Sequence, residues 1–168
     1  MLNTSRWVIR ALMWLNYLVG IPLLLLLAYS FMAEPKFLAT LAGLNPGRDL
    51  GSLLISARWI LFIVVPVMIF AHVIFRKLLD ILATVGAGNA FATANAERLR
   101  TVAWNLLFIQ LCDIGFGIAG EAFNTAAGER ISTWSPGITG WVAVLLVFVL
   151  ARVFREGARL RAEAELTI

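Results

Sequence analysis

Asp113 is the residue whose chemistry stands out first, an acid set in the apolar stretch LFIQLCDIGFGIAG. On a helix, Gln110 lies one turn before it, Asn105 two turns before it on roughly the same face, and Gly117 one turn after it. An acid inside hydrocarbon is costly and faces a partner or a cavity, so it marks a proton, cation or ligand site, or a polar contact that fixes helix register. A neutral Asp113 would donate to Gln110, or to the Phe62 carbonyl that Pro66 leaves without its helical partner. The other polar groups inside apolar runs are His72, Arg58 and Glu121, and the last two carry opposite charges. With one histidine and one cysteine, Cys112, in different runs, neither a nucleophile–base pair nor a metal-ligand set assembles. No catalytic residue, metal site or cofactor is expected, and the chain reads as a non-enzyme.

The elements that position these groups follow from composition. Of 168 residues, 61% are hydrophobic and 14% charged, against about 45–50% and about 25% in soluble domains. A soluble core cannot absorb that excess, so lipid must be the solvent. The apolar runs lack two-residue alternation and approach the ~20 residues a spanning helix needs, which excludes a barrel. The expected fold is an all-α membrane protein of one domain, with four transmembrane helices in two hairpins. The spans are placed at about 11–32, 53–75, 102–123 and 139–154, with a connector at 76–101 and a tail at 155–168.

The first run resembles a signal peptide in its charge and apolarity, but its length suits a retained span. Residues 33–51, with Glu34-Pro35 and Asn45-Pro46-Gly47, read as a polar turn region. The second apolar pattern continues past Phe75 through Leu78, Ile81, Leu82 and Val85 until Gly86 and Gly88, so its helix projects beyond the bilayer or breaks near Arg76. The third begins near Thr93 and is also longer than one span. Each outer turn contains a Pro-Gly pair, Pro46-Gly47 and Pro136-Gly137, yet nothing else in the two halves aligns as a repeat.

An even number of spans places both termini and the connector on one side. That side collects Arg6, Arg10, Arg76, Lys77, Arg98, Arg100, Arg152, Arg155, Arg159 and Arg161 of the fourteen basic residues. The positive-inside rule makes it cytoplasmic. Trp7, Trp14 and Trp104 fall near the inner interface and Trp59, Trp134 and Trp141 near the outer one. The net charge of +4 is spread over short segments and suits lipid headgroups, so no direct nucleic-acid contact is expected.

If the second and third spans are antiparallel, facing residues have numbers that add to a constant. Arg58 is then level with Glu121, a predicted ion pair, and His72 lies close to Asn105 and Leu106. Beyond the bilayer, Leu78, Ile81, Leu82 and Val85 are expected to pack on Leu99 and Ala103, with Val153, Gly157, Leu160 and Ala164 as the third side. Arg98 and Arg100, and Arg159 and Arg161, would form two basic ridges for anionic headgroups or an acidic protein.

The segment Gly88-Asn89-Ala90-Phe91, then Asn95-Ala96-Glu97-Arg98-Leu99-Arg100, with Phe154-Arg155-Glu156-Gly157 and the ending Glu163-Ala164-Glu165-Leu166-Thr167-Ile168, resembles the bacterial membrane family called domain of unknown function 2975. Relatives in that family usually carry Pro where this chain has Ala90. The resemblance implies a small four-helix inner-membrane protein without an assigned activity, often encoded beside a short helix-turn-helix regulator. It points to Phe91, Arg98, Arg100, Arg155, Arg159 and Arg161 as partner- or lipid-binding residues, and to a cytoplasmic DNA-binding regulator as the partner. The alternative function is a transporter or sensor of a small molecule, ion or proton, built on Asp113.

Overall fold

The computed structural model describes residues 2–130, 133–135 and 137–166. Thr167 and Ile168 of the tail motif and Pro136 of the second Pro-Gly pair lie outside them. The described residues form α1 (Leu2–Met32), α2 (Glu34–Leu44), α3 (Leu50–Gly86), α4 (Thr93–Ala127) and α5 (Ile138–Leu166). Four of these, all but α2, are long and apolar enough to cross a membrane. α3 runs unbroken through Arg76, and its 37 residues extend about 55 Å, nearly twice the hydrocarbon thickness. Of the two expectations, a break near Arg76 is therefore not what this sequence adopts.

α2 corrects the reading of residues 33–51 as turn. Pro35 stands in its first turn, where a missing N–H costs nothing because that donor has no helical partner anyway. Phe37 and Leu41, one turn apart, are buried with Leu53, Leu54 and Ala127. The proline that ends α1 thus also begins α2, and burial of one apolar face holds the short helix in place.

The chain divides into two compact units that cut across the helices. One unit takes α1 up to Asn16, the stretch from Ile69 through the connector to Gln110, and α5. There Phe70 stacks on Phe108 at 5.3 Å between ring centroids, and Trp104 meets Phe148 edge-on at 5.5 Å. The Gln110 side chain lies against Gly140. α5 therefore begins level with the middle of α4.

The second unit holds the rest of α1, α2, the first part of α3 and the last part of α4. Ile63 faces Gly115, where an added Cβ would stand 3.4 Å from its Cδ1. The Met68 side chain lies on Gly20, and the Trp134 ring lies on Gly117. These glycines admit side chains rather than a neighbouring backbone.

Candidate functional site: the connector and the tail

α3 ends where its sequence runs into Gly86-Ala87-Gly88. Gly88 has φ of 79°, a conformation that costs a glycine little and a side-chain-bearing residue much. Its N–H donates to the Val85 carbonyl at 3.0 Å, and that of Asn89 donates to Thr84 at 3.0 Å. This pair of bonds closes the helix as a Schellman cap and delivers Asn89 and Phe91 to the turn between α3 and α4.

Asn95, in the first turn of α4, has 0% relative exposure. Its Nδ2 donates to the Ala90 carbonyl at 2.9 Å. Its Oδ1 accepts the Thr84 hydroxyl at 2.8 Å and Arg98 Nη1 at 2.8 Å. Arg98 also reaches the Asp80 carbonyl at 3.3 Å. A buried amide costs free energy unless it is bonded, and one bonded on both its nitrogen and its oxygen fixes the geometry around it. Ala96, Leu99, Val102 and Ala103 are buried beside it. The small Ala96 and Ala103 give α4 a close-packed face at this end.

The α5 tail closes over the connector. The Phe91 ring lies 5.3 Å from that of Phe154 and covers Gly157 so closely that a Cβ there would stand 2.9 Å from Phe91 Cδ1. Arg161 donates to Asn89 Oδ1 at 3.2 Å. Glu97 bridges Arg155 at 3.5 Å and Arg100 at 3.8 Å. At the start of α1, Arg6 donates to the Leu82 carbonyl at 3.3 Å. The beginning of α1, the connector and the α5 tail therefore meet at one end of this unit.

Several residues singled out in the sequence take other places here. Of the stripe expected on the tail, Gly157 meets the connector, whereas Val153 and Leu160 are both 55% exposed and Ala164 is exposed too; Ala151 and Ala158 are buried and Phe154 half-buried in their place. The tail meets α4 through a phase of the helix that its larger residues do not mark. Arg98 is held by Asn95, Thr84 and Asp80, so it forms no exposed ridge with Arg100. Arg159 pairs within its own helix with Glu156 and Glu163. Arg152 is exposed and carries no ion pair among the described residues.

In the second unit, Arg58 takes Glu34 at 2.7 Å in place of the expected Glu121. It also donates to the Ser30 carbonyl and lies 4.1 Å from the centroid of the Phe31 ring. Helix α2 brings an acid into Arg58's reach that no account treating residues 33–51 as turn would supply. Asn105 donates back to Thr101 of its own helix at 2.7 Å. Asp113, in this unit, and His72, in the first, are half-buried. Among the described residues no group of three His, Cys, Asp or Glu is placed to hold a metal.

Long apolar helices with a polar, interlocked connector and tail define a multi-pass helical membrane protein. The sequence model of the family described as protein of unknown function (DUF2975) matches residues 9–168, and the chain belongs to that family. The match takes in every connector and tail residue named above. Neither the curated proteins nor the solved structures gave a match.

Proposed function

We propose that this protein is a membrane-bound regulatory protein whose connector and tail form one cytoplasmic docking surface for a protein partner, a small DNA-binding regulator. The observation that supports it is the closure of the tail on the connector through Phe91–Phe154 and Glu97–Arg155. Joining two spans requires only a turn; a fully buried Asn95 and an aromatic latch build a defined surface. That surface carries Arg100 and Arg155 on either side of Glu97, with Arg152 one turn from Arg155. Two guanidinium groups on one carboxylate, with a third exposed arginine on the same helix as Arg155, leave an excess of positive charge, which complements an acidic protein face. The clustering of basic residues at this end supports placing it on the cytoplasmic side.

Co-purification from detergent tests the reading. The wild-type chain is expected to retain a DNA-binding protein that a chain carrying Arg100→Glu and Arg152→Glu loses. Retention of the same partner by both chains would contradict it.

A further inference from the structure

A second polar site lies at the start of α3. A cleft of about 530 Å³ is lined by Asp49, Ser52, Ser56 and Thr125, with Ile55, Ala122 and Ala126 as its apolar wall. Its polar atoms are almost all acceptors. Asp49 Oδ1 already accepts the N–H groups of Gly51 at 3.0 Å and Ser52 at 3.4 Å, and Oδ2 accepts the Ser52 hydroxyl at 2.6 Å. The Ser52 proton is thereby used, and the Thr125 proton goes to the Glu121 carbonyl at 2.9 Å. Both hydroxyl oxygens keep lone pairs for a ligand, as does the carboxylate.

Ser56 adds an independent observation. It is 7% exposed and lines the cleft, and among the described residues nothing bonds its hydroxyl. Its hydroxyl is open to the cleft rather than engaged by the protein, so it is free to bond a ligand there. No basic residue lines the cleft. Asp49 immediately precedes the apolar run of α3, at the depth where lipid headgroups meet water.

We propose that this cleft binds a primary ammonium group, with Asp49 as counter-ion, the Ser52, Ser56 and Thr125 oxygens as hydrogen-bond acceptors, and Ile55, Ala122 and Ala126 against the attached methylenes. An ammonium offers three donors to a site made of acceptors, and its charge is compensated by the carboxylate. The same chemistry is carried by the ethanolamine headgroup of a phospholipid and by a free amine.

The test uses the full chain in phosphatidylcholine nanodiscs, with thermal unfolding as readout. Ethanolamine is titrated in solution in one arm, and phosphatidylethanolamine replaces part of the lipid in the other. Stabilisation in either arm is expected, and the responding arm names the source. Asp49→Asn keeps a side chain that caps helices well but removes the charge, and Ser56→Ala removes the free hydroxyl. Each is expected to weaken the response about tenfold, the loss of one charge-assisted bond. Choline, which has no N–H, is expected to give none. Equal responses to choline and ethanolamine, an undiminished response in Asp49→Asn, or none in either arm would overturn the assignment.

Discussion

Arg98 Nη1 lies 2.8 Å from Asn95 Oδ1, an oxygen that also accepts the Thr84 hydroxyl from α3 at 2.8 Å. One buried amide thus ties the end of α3, the turn at Ala90 and a guanidinium into a single polar knot. A knot of this kind is sensitive to loss of any member, because the remaining groups stay buried with their bonds unmade.

Asn95→Ala is expected to destabilise the protein by about 1–3 kcal/mol, measured by thermal unfolding in detergent. Arg98→Lys is expected to cost part of this, since a single ammonium does not match the reach of a planar fork. Unchanged melting for Asn95→Ala would show that the buried network contributes nothing.

Gly157→Leu is expected to lift the tail from the connector, because the Phe91 ring already stands 2.9 Å from the position of a Cβ there. Faster hydrogen exchange in residues 155–164, and faster tryptic cleavage at Arg159 and Arg161, would report the release. Exchange as slow as in the wild type would mean that Phe91 does not hold the tail.

Glu34→Gln is expected to cost about 1 kcal/mol, whereas Glu121→Gln is expected to change little. The contrast follows from the 2.7 Å pair that Arg58 makes with Glu34. Unfolding of the two variants side by side checks it, and the reverse order would restore Glu121 as the partner.

The Ser52 hydroxyl, and then the Ser52 and Gly51 N–H groups, hold the Asp49 carboxyl below its ordinary value of 3.8. Its folded pKa is lower than its unfolded one, so the stability it contributes is fully present above about pH 4 and is lost as pH falls through the folded pKa. Stability measured from pH 6 downward is expected to fall less steeply below pH 4 in Asp49→Asn than in the wild type. Identical acid limbs would mean that this cap does not contribute.

The legible part of the fold was what apolar runs and depth determine. Antiparallel levels follow from residue numbers alone, and Phe70 with Phe108 and Ile63 with Gly115 obey them. The same rule placed Arg58 at the depth of an acid but could not choose between acids, since Glu34 becomes available only when α2 forms. α2 itself was hidden because Pro35 and Pro46-Gly47 bracket a short segment whose helix depends on tertiary burial of Phe37 and Leu41. In the candidate site, Phe91 was marked by the family resemblance and Gly157 by the tail's expected inward stripe. The role of Asn95 was not legible, because its burial comes from Thr84 on another helix and from a carbonyl five residues back. The tail's buried phase was missed because Ala151 and Ala158 are small while the exposed Val153 and Leu160 are large, and in a protein surrounded by lipid, size and apolarity do not mark the inward face.

The most direct measurement places a photo-cross-linker at Arg152, and in a separate chain at Arg100, in living cells and identifies what is captured. The account predicts one cytoplasmic protein with a DNA-binding domain at both positions, lost when Gly157→Leu releases the tail. Capture of lipid alone, or of the same protein with the tail released, would contradict a docking surface built jointly from the connector and α5.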